Sequence, residues 1–228
     1  MRVYKPRSRA FTLIELLVVV AIITMLIAII VPSLSRAKQK ARDIQCLTHL
    51  KAIYVAFSTY VGEEGRLPPL NNDPNEGAWQ YNYVIYDGRE FESNFGPIAP
   101  SHGALKYIEQ LYCPVQEDPY HSLATGFNPW PVRENIDTRA GYSRRYGLSG
   151  KAFSQLRTKA MIADLLHLPE MIKSGHETGV HVVFTDGHGQ WINDPGILTD
   201  NDLAKPFDPT DNELVKDIWH TLDDQGRD

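Results

Sequence analysis

Residues 11–31 constrain this chain more than any other stretch. They are apolar throughout except for Thr12, Thr24 and one carboxylate, Glu15. As a helix they would span about 30 Å at ~1.5 Å per residue, enough to cross a hydrocarbon core. Arg2, Lys5, Arg7 and Arg9 precede the run and Pro32 follows it. The basic flank assigns the N-terminus to the cytoplasm and everything after the run to the other side of the membrane. A carboxylate inside such a span costs about 2.5–3.5 kcal/mol on insertion scales. Glu15 therefore either lies near enough to the helix end to reach the headgroups or finds a partner. Cleavage after Ala10 would supply one. The freed amine of Phe11 on a neighbouring copy could pair with Glu15 when helices pack side by side.

The run Arg9-Ala10-Phe11-Thr12-Leu13-Ile14-Glu15-Leu16-Leu17-Val18-Val19 resembles the class III signal of type IV pilins and type II secretion pseudopilins. The resemblance implies a prepilin peptidase that cuts between Ala10 and Phe11 and N-methylates Phe11, making Glu15 the fifth mature residue. The family usually carries Gly before the cut, where this chain has Ala10. It also implies an α+β, pilin-like fold, with a long N-terminal helix packed on a small antiparallel sheet with long loops. The expected division is a leader at 1–10, a transmembrane and assembly helix at 11–31, the amphipathic half of that helix at 32–62, and a periplasmic domain at 63–228.

Composition is consistent with one anchor and one modest domain. The chain has 228 residues and a mean hydropathy of −0.31, so it is polar beyond the anchor. Its formal charge is −5, and removing residues 1–10 takes away four basic residues and no acid, leaving −9. That argues against a nucleic-acid surface, which needs clustered Lys and Arg. The basic pair Arg144-Arg145 and the lysines near 38–40 read as solvated faces. An ordinary secretory signal competes with the pilin-like one, but residues 32–37 offer only a weak match to its cleavage site.

After Pro32, apolar residues recur every three or four positions at Leu34, Ala37, Ala41, Ile44, Leu47, Leu50, Ile53 or Tyr54, Phe57 and Tyr60 or Val61. This predicts one apolar face for packing against the domain. Gly62, Glu63, Glu64 and Gly65 close the helix, giving about 75 Å from residue 11 at ~1.5 Å per residue. Residues 78–86 read as a strand entering a turn at Asp87-Gly88, or as an aromatic loop. Ser101 caps a short helix running to about Leu111. Residues 114–141 read as loop, 158–164 as a buried strand, and 213–222 as a final helix capped by Thr210 or Asp211, with Leu214, Ile218 and Leu222 on one face. Residues 223–228 fray.

The second informative stretch runs from His176 to Ile192. Val180 to Thr185 predicts a strand, Asp186-Gly187 a type I′ turn, and His188 to Ile192 a returning strand. His176 followed after nine residues by Asp186-Gly187 resembles the H-x9-DG signature of a pilin-like family. Tyr112-Cys113-Pro114 and residues 46–51 resemble other landmarks of that family. Asp186 is expected to cap its own turn and His176 to hydrogen-bond back to the hairpin. Cys46 and Cys113 are either a disulfide tying helix to domain or two buried thiols.

Two readings of function follow. In the first, the chain is no enzyme but a structural subunit. Phe11, Leu13, Ile14, Leu16 and Leu17 pack, and Glu15 sets register, in a type II pseudopilus or type IV pilus-like filament. Its partners would be the prepilin peptidase, copies of itself or other pilins, and indirectly an assembly platform and its ATPase. The inner membrane would hold it until assembly. In the second, a membrane-anchored periplasmic module or enzyme uses His176, His181, Asp186 and His188 as zinc-type ligands, with His181 and His188 meeting across the hairpin. The acidic tail, with Asp194, Asp200, Asp202, Asp208 and Asp211, suggests calcium by resemblance to major pseudopilins, without EF-hand spacing.

Overall fold

The computed structural model describes residues 12–70, 83–86, 89–90, 94–100, 104–130, 138–145, 147–166, 171–172, 175–176, 178–193 and 212–226. The chain forms two units, Met1–Ala41 and Arg42–Asp228. Helix α1, Leu13–Glu64, contributes to both and contains Pro32. In the first unit every described residue is exposed. In the second, α1 buries Cys46, Leu50, Ile53, Ala56 and Phe57, the three-to-four spacing of a single stripe. The predicted stripe began too early. Leu34 and Ile44 are exposed, and Ile44 lies about 160° around the helix from Cys46 at ~3.6 residues per turn. Gly65, at φ +75°, ends the helix, and its N–H donates to the Val61 carbonyl at 2.8 Å.

The fold is α+β. Strand β1, Tyr83–Tyr86, pairs antiparallel with β2, Arg89–Glu90, and with β3, Thr138–Arg139. The rest of the strand expected at 78–86, and Asp87-Gly88, lie outside the described residues. The larger sheet is β4, Tyr142–Arg144; β5, Ala160–Asp164; β6, Gly179–Phe184; and β7, Gly189–Asn193, in that order and antiparallel throughout. Every residue of β5 and β6 is buried, because both faces of the sheet are covered. Tyr142, Ile162 and Val183 pack with the α1 stripe. Ala160, Ala163, Val180, Val182 and Phe184 pack with Ile218, Trp219 and Leu222 of α2, Asn212–Gln225. This two-sided cover explains the near-continuous apolar run from 180 to 184.

Three local expectations change. The hairpin turn is not type I′: Gly187 has φ +87°, whereas Asp186 is not among the residues with positive φ. Gly187 N–H donates to Phe184 C=O at 2.9 Å, and Phe184 N–H to His188 C=O at 3.0 Å. This is a three-residue loop with one left-handed glycine. A Cβ on Gly187 would come within 2.8 Å of the Tyr54 ring on α1, so glycine also permits the helix to seat there. The helix expected up to Leu111 shrinks to a 3₁₀ turn, Ile108–Leu111. Leu105 N–H is drawn back to the Ile98 carbonyl at 3.1 Å, and Ser101 lies outside the described residues. Finally, α2 runs on to Gln225 in place of the fraying expected from 223. Its expected caps, Thr210 and Asp211, also lie outside the described residues.

The basic pair is the largest correction, since Arg144 and Arg145 are both buried. Arg144 donates to the carbonyls of Pro68 at 2.6 Å and Asn94 at 3.0 Å, and its guanidinium lies 4.9 Å from the Phe57 ring centroid. Burial lowers its pKa to about 9, so it stays charged at neutral pH. Arg145 donates to the Asp223 carboxylate and to the carbonyls of Ala160 and Trp219 at 3.3 and 3.4 Å. Asp223 also accepts the Ala160 N–H at 2.8 Å, which ties α2 to β5. Asp223→Ala leaves a buried guanidinium without its carboxylate, so chemical denaturation should show a loss of about 3–5 kcal/mol. The double change Arg145→Met with Asp223→Leu should recover most of it.

Candidate functional site

The start of α1 forms one candidate site. Glu15 Oε2 accepts the Thr12 backbone N–H at 2.9 Å and the Thr12 hydroxyl at 2.8 Å. Glu15 N–H donates back to Thr12 Oγ1 at 3.3 Å. Thr12-x-x-Glu15 is thus a reciprocal capping box, a signal that the sequence reading passed over. Leu13, Ile14, Leu16 and Leu17 are exposed around it. The α1 helix contains a window long and apolar enough to cross a membrane, none of it buried. Ala10 and Phe11 lie outside the described residues.

The second site lies on the α1-facing side of the larger sheet, within the second unit. Cys46 of α1 and Cys113 form a disulfide with Cα atoms 5.2 Å apart. Closing a loop of this length, with a sequence separation of 67, stabilises the fold by about 4 kcal/mol in the chain-entropy account. His176 Nε2 lies 3.3 Å from Cys113 Sγ and 3.1 Å from Asp164 Oδ2. On its other side, His176 Nδ1 is 3.2 Å from Asp43 Oδ1. Asp164 Oδ2 accepts the His181 backbone N–H at 2.7 Å and lies 3.0 Å from His181 Nδ1. The His176 and His181 rings meet edge-on at 4.7 Å, and Trp191 closes over both at 5.6 and 4.8 Å.

His176 therefore does not bond back to the hairpin as expected. It touches the hairpin through ring contacts, and its hydrogen bonds go to β5 and α1. Burial opposes the charge on both partners, yet the interactions outweigh it. Asp164 is held well below the usual carboxylate range by His176 and His181, and His176 is raised by Asp164 and Asp43. Asp186 does cap its turn, accepting the His188 N–H at 3.1 Å. His188 Nδ1 sits 2.6 Å from Asp186 Oδ1, and its ring stacks on Phe184 at 4.2 Å. His181 does not join Asp186 and His188. Residue 181 opposes Trp191, whereas His188 sits at the hairpin tip against Phe184. The described residues with metal-ligating spacing are instead Cys46, Cys113, Asp164 and His176. The tail aspartates expected to bind calcium lie outside the described residues.

Residues 5–31 match the prokaryotic N-terminal methylation motif. A stretch of 86 residues is 40% identical to the type IV major pilin protein PilA of Myxococcus xanthus (strain DK1622). The chain is type IV pilin-like. The aligned stretch covers 36% of this chain and 39% of that pilin. No solved structure matches the chain.

In this pilin-like chain the buried cluster makes stability depend on pH. Asp164, lowered on folding, contributes stability that is present above its unfolded range near pH ~4 and is lost as pH falls through its folded value. His176, raised on folding, contributes stability that is full below about pH 6.5 and is lost as pH rises through its folded value. Together they contribute most between about pH 4 and 6.5. With the disulfide intact and a chelator present, the unfolding free energy should decline as pH rises above about 6.5. His176→Gln should flatten that decline, and denaturation midpoints across the pH series would measure it.

Proposed function

We propose that the chain is a structural subunit, cut between Ala10 and Phe11 by a prepilin peptidase and methylated on Phe11, that polymerises through residues 11–31. The filament is of the type IV pilus kind rather than a type II secretion pseudopilus. The named relative, a major pilin, supports that choice. The reading rests chiefly on the exposed apolar part of α1 with one carboxylate in its first turn. Before assembly the inner membrane covers that surface. The N-terminus is cytoplasmic and the folded unit periplasmic. An assembly platform and its ATPase then move subunits into the filament, where neighbouring helices replace lipid. No chemistry on a substrate is required.

In this mechanism Leu13, Ile14, Leu16 and Leu17 supply packing, which is the main association force once lipid removes the hydrophobic drive. Glu15 supplies register. Among the described residues its carboxylate has the Thr12 hydrogen-bond donors and no cation, and in this mechanism the methylated amine of a neighbour's Phe11 provides one. Desolvation is offset when the two charges meet.

Two variants test this. Glu15→Ala removes both the capping box and the charge. Glu15→Gln keeps a box-forming side chain and removes only the charge. Both should be processed to a methylated Phe11 terminus, read by mass spectrometry, and both should be absent from sheared filaments. Normal incorporation of Glu15→Gln would sink the pairing. Recovery of the native protein with Met1 attached would sink the processing.

A further inference from the structure

We propose that the reduced chain binds a zinc-type divalent metal ion through Cys46, Cys113, Asp164 and His176, in a site that the disulfide excludes and that is separate from filament assembly. The donor atoms of these four buried residues all lie within 4.8 Å of one another. Tetrahedral zinc, with bonds of about 2.0–2.3 Å, separates its donors by about 3.3–3.8 Å. Two edges of that figure already stand close to this: His176 Nε2 to Cys113 Sγ at 3.3 Å and His176 Nε2 to Asp164 at 3.1 Å. The two sulfurs, bonded to each other in the disulfide, must separate, which is what breaking their bond allows.

The surroundings are those of a metal site. Asp43 at Nδ1 of His176 orients the ring and leaves Nε2 to face the sulfurs, the carboxylate–histidine arrangement that supports zinc ligands. His181 holds Asp164 by its backbone N–H. Asp164 Oδ1 is buried with no hydrogen-bond partner among the described residues, an orphaned acceptor of the kind that a cation satisfies. A small cavity lined by Cys113, Asp164 and His176 has room for about one ion or water. Two thiolates and an imidazole select zinc over calcium or magnesium.

The chemistry balances. A dithiol reductant gives two electrons and two protons to the Cys46–Cys113 bond and becomes a disulfide itself. The divalent ion then displaces the two thiol protons and bonds both sulfurs. An oxidised dithiol, itself a disulfide, reverses the sequence: the ion leaves, the two sulfurs bond, and the oxidant takes up two electrons and two protons, so metal and disulfide are alternative staples between α1 and the loop that carries Cys113.

The test uses the full-length chain in detergent, reduced with a dithiol, exchanged anaerobically and titrated with cobalt(II) alone. The reduced wild type should take up a stoichiometric ion with the visible absorption of tetrahedral thiolate coordination, which zinc then displaces. The oxidised wild type should show none. His176→Ala should abolish tight uptake. Asp43→Ala, which changes only the supporting carboxylate, should weaken uptake about 10–100-fold. No uptake by the reduced wild type, equal uptake by the oxidised form, or wild-type affinity in both variants would each overturn the site. The wild-type comparison needs no variant to fold, and a failure of Glu15 variants to assemble leaves it untouched.

Discussion

Charge without water is the constraint that organises this protein. Strands β4 to β6 of the larger sheet are buried throughout, between α1 on one face and α2 on the other, so a charged side chain on or beside them cannot reach solvent. Each one is answered inside the body. Arg145 meets Asp223, and Asp164 meets His176 and His181. Arg144 has no carboxylate among its named partners and relies on backbone carbonyls and the Phe57 face. Buried charges contribute less to net stability than to uniqueness, because any other packing would leave one of them unpaired. Here they also fasten elements far apart in sequence. Arg145 and Asp223 join β4–β5 to α2, and His176 joins β5 to α1 through Asp43. The Cys46–Cys113 bond fastens α1 to the domain beside the histidine cluster.

Local patterns were legible in the sequence where their cause was local. The recurrence of Leu50, Ile53 and Phe57 marked the buried stripe of α1, Gly65 marked its end, and Asp186-Gly187 marked the tip of the hairpin. Residues 180–184 read as a strand because a sheet covered on both faces selects a continuous apolar run. The turn type was misjudged because Asp-Gly suits more than one hairpin. Contacts from another element also bear on this loop: Tyr54 of α1 packs on Gly187 and donates its hydroxyl to the Thr185 carbonyl.

Partnerships across the chain were not legible. Arg144-Arg145 reads as a surface pair because two adjacent guanidinium groups are rarely buried, and their answers lie at Pro68, Asn94 and Asp223. Nothing near residue 145 announces an acid 78 positions later. The zinc-type reading grouped His176 with its neighbours in sequence. It chose His181, Asp186 and His188 by nearness in sequence, whereas the fold gathers Cys46, Cys113 and Asp164. The Thr12-x-x-Glu15 spacing is a local signal, since a capping box needs only two residues three apart.

That capping box sharpens the account of Glu15. A carboxylate in the first turn already sits favourably against the helix dipole. Two Thr12 donors satisfy part of its hydrogen-bonding capacity. Neither effect cancels a full negative charge or removes the cost of carrying it into lipid. The box therefore holds the side chain in one place at the helix start without neutralising it. A carboxylate that is fixed and still charged is a better register mark than a mobile one. An approaching cation must come to the first turn of α1, and a helix offset along its axis forfeits the pair while retaining the desolvation cost.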